Sequence, residues 1–201
     1  MNMKEKLTLR NVVIWGAALL GVVFFFLTFA IDGKIVDYEQ DIELVNHSMT
    51  YAFHNILWDG TTIDFFHDGV FEGTIYLQGG AQFALPIIGA ILLLLSSLGA
   101  VVVSFLVKDK KVYMISLIAA GALAITGGIF IFFAKETMIR NMLYQEGISI
   151  SDINQHYEEY KAMINNQYES NALAYVIGVI GIVSGCAFGV SPFLPNKQLI
   201  K

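Results

Sequence analysis

The sequence predicts a membrane protein. The expected architecture is an α-helical four-span bundle with both termini cytoplasmic, a small α+β extracellular cap from the first outer loop, and an extended helical hairpin from spans three and four. Three observations predict it. Of the 201 residues, 56% are hydrophobic and only 14% charged, with a mean hydropathy of +0.62, whereas a soluble domain carries roughly 25% charged residues. Four long runs, 12–31, 81–107, 112–134 and 172–194, contain no Asp, Glu, Lys, Arg or His. The third observation is that the basic residues between and beyond these runs gather on one side.

Each run is long enough to cross a hydrocarbon core of about 30 Å, which takes roughly 20 helical residues. Lys4, Lys6, Arg10, Lys108, Lys110, Lys111, Lys197 and Lys201 then share a side with only Glu5 and Asp109. The other side holds Lys34, Lys135, Arg140 and Lys161 against fifteen acids. Basic loops stay in the cytoplasm. Residues 1–11, the turn 108–111 and residues 195–201 are therefore assigned inside, and 32–80 and 135–171 outside. A cleaved leader ending near Thr28-Phe29-Ala30 is the competing reading of the first run. Its length and Phe24-Phe25-Phe26 favour a retained anchor.

The first outer segment opens with Val36, Tyr38, Gln40, Ile42 and Leu44 alternating with Asp37, Glu39, Asp41 and Glu43. A period of two predicts one strand with a wet face. Met49, Ala52, Phe53, Ile56 and Leu57 follow at helical spacing, with Asn46 or Ser48 as N-cap, which predicts a short amphipathic helix. Asp68-Gly69 between runs rich in Thr, Ile, Phe and Tyr predicts a hairpin.

The second outer segment reads as wholly helical. The third span continues without a breaker to Gly147. A fourth helix, capped by Ser149 or Ser151, then carries Ile153, Tyr157, Tyr160, Ile164 and Tyr168 as one apolar stripe. Tyr157, Tyr160, Ile164 and Tyr168 are expected to pack on the apolar side of the first outer segment, at Val36, Tyr38, Ile42 and Leu44.

With four spans, both ends inside, a long first outer loop with strands and a projecting third helix, the layout resembles the claudin-like tetraspan proteins in topology. Those proteins carry a Trp followed by two cysteines in that loop. Here Trp58 is followed by no cysteine outside the apolar runs, and the single cysteine, Cys186, lies in the fourth. Outer segments without disulfides point to a bacterial plasma membrane. The sequon Asn46-His47-Ser48 then carries no glycan.

Small residues recur at four-residue spacing in three spans: Ser96, Ala100 and Ser104; Ala120, Ala124 and Gly128; Gly181, Gly185 and Gly189. Such ladders let helices approach closely in lipid. They serve packing within the bundle, or, for the glycine ladder, contact with another subunit. The row Asp37, Glu39, Asp41 and Glu43 is a solvated strand face or a docking surface for a cationic extracellular ligand. His47, His54, His67 and His156 show no metal-ligand spacing.

No HExxH, GxSxG or phosphate-loop motif occurs, so neither catalysis nor a cofactor or metal is expected. The spans lack the ionisable residues of coupled transport, and Pro86 falls too early in its span to break it. The expected role is that of a non-catalytic accessory, scaffold or sensor protein of the plasma membrane. Its partners would be the lipid bilayer and another membrane protein or itself, not nucleic acid. The alternative is a subunit of an oligomeric channel or multi-component transporter.

Overall fold

The computed structural model describes residues 8–37, 42–46, 61–67, 70–77, 84–145, 148–164, 168–170 and 172–195. The described residues are mostly helical and divide into two compact units. One comprises Met1–Leu27, Ile88–Ile131 and Tyr175–Lys201, the other Thr28–Ile87 and Phe132–Ala174.

Four helical segments are long and apolar enough to cross a membrane: Leu9–Ala30, Ala84–Leu106, Lys110–Phe132 and Leu173–Phe193. The first consists of helix α1 (Leu9–Leu27) and a 3₁₀ turn, the next two are α2 (Ala84–Leu106) and α3 (Lys110–Phe132), and the last is α6 (Leu173–Val190) with its own 3₁₀ turn. Local chemistry sets where two of them start. The Thr8 hydroxyl accepts from Asn11 N at 3.3 Å to cap α1, and the Asp109 carboxylate accepts from Val112 N at 2.8 Å to cap α3. An N-cap oxygen satisfies one of the four donors a helix start leaves unpaired. The one acid of the Lys108–Lys111 turn is thus a helix cap, and it places Lys110 and Lys111 in the first turn of α3.

Within the first unit the spans meet in cyclic order. A Cβ built on Gly21 of α1 would overlap Ser97 Oγ of α2. On α2, a Cβ at Gly89 would lie 2.6 Å from the Gly127 carbonyl oxygen of α3. On α3, Cβ atoms at Gly121 and Gly128 would lie 2.6 and 2.5 Å from the carbonyl oxygens of Gly185 and Gly178 of α6. The Ser184 hydroxyl of α6 donates to Ala17 O of α1 at 3.3 Å. Without a hydrophobic drive between helices in lipid, such backbone approach and the dispersion it permits hold spans together. Ile14, Leu93, Leu117, Ile177 and Phe188 fill the interior, while Leu19, Phe26, Leu95, Val102 and Val183 are exposed, as acyl-chain contact requires.

The second unit contains a five-stranded antiparallel sheet in the order β4-β3-β2-β1-β5. Its strands are β1 (Gly33–Asp37), β2 (Ile42–Asn46), β3 (Thr61–His67), β4 (Val70–Leu77) and β5 (Tyr168–Ser170). The strands β3 and β4 pair from His67↔Val70 across Asp68-Gly69. A register shift between Phe65 and Phe66 leaves Glu72 as the extra residue of a bulge. At the other edge β5 pairs with β1, Gly33 with Ser170, Lys34 with Glu169 and Ile35 with Tyr168. The two segments that separate spans one from two and three from four are therefore hydrogen-bonded into one sheet.

Two helices complete this unit, α4 (Ala134–Gln145) and α5 (Ile150–Ile164). They pack through Met138, Ile139 and Leu143 on one side and Ile153 and Tyr157 on the other. Ser149 caps α5, its hydroxyl accepting from Asp152 N at 3.2 Å.

Three sequence expectations are corrected. The alternating run 36–44 is not one strand. It is divided between β1 and β2, which pair with each other from Gly33↔Asn46 to Asp37↔Ile42. A two-residue period is the same on both sides of a turn, so alternation alone does not reveal the reversal. The second outer segment is not wholly helical. The helix of span three is interrupted at Phe133, where the apolar run gives way to Lys135 and Glu136, and α5 stops at Ile164 before Asn165-Asn166. Asn competes for backbone hydrogen bonds and disfavours helix interiors. Tyr168, read as the last residue of a helical stripe, is instead the first residue of β5. The expected short helix at 49–57 lies outside the described residues.

Candidate functional site

Polar side chains converge at two places, one in each unit. In the bundle they gather at the end where α1 and α3 begin and α2 and α6 finish. Arg10, in the first turn of α1, donates from Nη2 to Leu194 O at 2.9 Å, and its guanidinium carbon lies 5.7 Å from the Tyr113 ring centroid. One turn deeper, the Trp15 indole N–H donates to Ser104 Oγ at 2.9 Å, and the ring stacks on Phe105 with centroids 5.2 Å apart. The Ser104 hydroxyl in turn donates to Val101 O at 2.7 Å. Arg10 Nε and the Tyr113 hydroxyl are buried and have no hydrogen-bond partner among the described residues. An unpaired buried donor costs on the order of 1–3 kcal/mol.

The second cluster sits on α4 and α5. Helical spacing brings Glu136 and Arg140 to one face of α4, and Asn154, Tyr157 and Lys161 to the facing side of α5. The Arg140 guanidinium lies 3.8 Å from the Tyr157 ring centroid and donates to Asn154 Oδ1 at 2.9 Å. Lys161 approaches the same ring at 5.6 Å and the Glu136 carboxylate at 3.3 Å. The Tyr157 hydroxyl, buried beneath these cations, has no partner among the described residues. Burial, reinforced by the Glu136 carboxylate, pushes it up to about 12 against the opposing pull of Arg140.

On the exposed side of α5, Asp152 accepts from the Tyr160 hydroxyl at 2.5 Å and meets His156 Nδ1 at 3.1 Å. The Tyr160 hydrogen bond, then the nearby imidazole, hold the Asp152 carboxyl below its usual range, and the same bond raises the Tyr160 phenol. His156 itself sits at a kink, with φ −117° and ψ 20°. Nothing in the cluster pairs a nucleophile with a base, and among the described residues no three His, Cys, Asp or Glu side chains converge as metal ligands.

The structure distributes the sequence-selected residues unevenly. Gly181 and Gly185 are covered by Gly128 and Gly121 of the same chain, so neither is available to a second subunit, whereas a Cβ on Gly189 would meet nothing within 4 Å. Ser96, Ala100, Ala120 and Ala124 are buried in the bundle, and Ser104 holds Trp15. Asp37 stands opposite Ile42 and Glu43 opposite Val36, on successive rungs of the β1–β2 ladder and not along one strand. Glu39 and Asp41, like His47 and His54, lie outside the described residues. Tyr157 and Tyr160 find their partners within α4 and α5, and Ile164 ends α5.

Sequence reasoning missed the Arg10–Tyr113–Leu194 cluster, because its members belong to three spans far apart in the chain. An arginine and a tyrosine flanking otherwise apolar spans were the available signal. No protein-family model, curated protein or solved structure matches the chain.

Proposed function

We propose that this chain, whose four helices fit a multi-pass membrane protein, is a non-catalytic accessory, scaffold or sensor component of the plasma membrane. Its outer segments form an α+β cap that contacts another membrane protein or a cationic extracellular ligand. The β1–β5 ladder is the observation that carries the proposal. Strands from two separate outer segments join only if both lie on one side of the bilayer, as four crossings require, and the result is a folded body outside lipid. The spans supply no charged pathway, and their closest small-residue faces are used within the chain, so recognition falls to the outer unit. Its acidity favours a basic partner surface.

The basic turn at Lys108–Lys111, the start of α1 and the end of α6 share one end of the bundle, which supports placing both termini in the cytoplasm. Photo-crosslinkers at Glu158 and Asn154, both exposed, are expected to give intermolecular adducts in native membranes. Recovery of uncrosslinked monomer alone would remove the proposal. Single cysteines at Lys110 and Glu158 in a Cys186→Ala background test the orientation. Only the latter should react with an impermeant maleimide in intact cells.

A further inference from the structure

We infer that Arg10 and Tyr113 form a binding site for the phosphate of an anionic phospholipid headgroup. Among the described residues, the side-chain donors at this end of the bundle outnumber the acceptors. Arg10 spends one N–H on Leu194 O, while its Nε–H and the Tyr113 O–H have no acceptor among the described residues. Lys108, Lys110 and Lys111 are exposed close by in sequence to Tyr113. Among the described residues the one neighbouring acid, Asp109, directs a carboxylate oxygen to the backbone of Val112 as a helix cap. The Tyr113 ring and the Leu194 carbonyl fix the guanidinium from two directions, which orients its fork. Guanidinium matches a phosphate with two parallel charge-assisted hydrogen bonds.

The surroundings identify the source of the phosphate. Val12, Leu106, Val112 and Phe193, at the ends of the four spans, are apolar and exposed, Leu106 at 71% and Phe193 at 70%. Side chains of this kind at a helix end are solvated by acyl chains. The stacked pair Trp15 and Phe105 lies about one turn deeper, where aromatic rings mark the boundary of the hydrocarbon. Arg10 therefore stands at the depth where lipid phosphates lie. A half-buried arginine there, flanked by three lysines, selects anionic over zwitterionic headgroups.

The test is native mass spectrometry of the detergent-purified full chain, using phosphatidylglycerol and phosphatidylcholine of identical acyl chains, with inorganic phosphate as a separate arm. Phosphatidylglycerol should be retained about tenfold more than phosphatidylcholine. Arg10→Gln should abolish most of that preference, and Tyr113→Phe, which keeps the ring, should reduce it several-fold. Arg10→Lys, which keeps the charge without the fork, should give an intermediate value. It decides the matter if Arg10→Gln does not fold by Trp15 fluorescence. Equal retention of the two lipids by the parent, or an undiminished preference in both Arg10 variants, overturns the site. Inorganic phosphate stabilising the protein as well as the lipid does would identify a soluble-anion site and overturn the lipid assignment.

Discussion

Gly128 and Gly178 meet backbone to backbone across α3 and α6, so that a Cβ on Gly128 would lie 2.5 Å from the Gly178 carbonyl oxygen and 3.0 Å from Ile182 N. Neither atom belongs to a flexible side chain. The contact leaves no room for even one methyl group, and only a separation of the two helices would make it.

Gly128→Ala and Gly121→Ala are accordingly expected to destabilise the bundle by about 1–3 kcal/mol each, the usual cost of overpacking. Gly16→Ala and Gly99→Ala, where an added Cβ meets nothing within 4 Å, should stay within about 0.5 kcal/mol of the parent. Unfolding in mixed micelles with rising dodecyl sulfate reads the difference. Indistinguishable midpoints for the two pairs would refute the α3–α6 packing.

Arg140 couples α4 to α5 through the Tyr157 ring and the Asn154 amide. Arg140→Ala should therefore weaken the pair by about 1–2 kcal/mol, the range of a partly desolvated cation–π contact. Arg140→Lys should recover only part of this, since a lysine cannot both stack and bridge. The check is the rate of limited proteolysis between the two helices, expected to rise in the order parent, Lys, Ala.

Tyr157 carries a buried hydroxyl without a partner among the described residues, so Tyr157→Phe should raise stability by about 1 kcal/mol at neutral pH. The same hydroxyl predicts an alkaline effect. With the folded phenol pushed up to about 12 from its ordinary 10.0, the unfolded chain releases its proton first as pH rises. Stability is full below pH 10 and falls between 10 and 12. One pH unit corresponds to about 1.4 kcal/mol as an upper bound. Thermal midpoints of parent and Tyr157→Phe should move further apart over that window, the parent falling while the variant does not. A constant gap would disprove the assignment.

Ile35 and Tyr168 stand opposite each other in β1 and β5. Paired residues in an antiparallel ladder have Cα atoms about 4.5–5.5 Å apart, within disulfide reach. Ile35→Cys with Tyr168→Cys, in a Cys186→Ala background, should form an intramolecular disulfide on mild oxidation. Pairing Ile35→Cys with a cysteine at exposed Asn154 should not.

The spans were legible because 20 apolar residues without a charge have few other destinations, and the pairing of β3 with β4 was legible because the hairpin signal between them is local. The reversal between Asp37 and Ile42 was not, since alternation reads the same on both strands. Nor was β5: three residues, Tyr168-Glu169-Ser170, hold their strand conformation through a partner far away in the chain, and helical spacing before them invited the wrong extension. The Arg10–Tyr113 cluster was hidden for the same reason. Each residue alone reads as an interface anchor, and only the cyclic order of the spans brings them together.

The edge position of β5 also dictates an order of assembly. The strand β1 is synthesised soon after the first span, but the segment that completes its other edge is made only after the second and third spans. During that interval one side of β1 is an open row of amide and carbonyl groups, competent to pair with any extended chain. A chain halted before the end of its third span would therefore keep one edge of β1 unpaired.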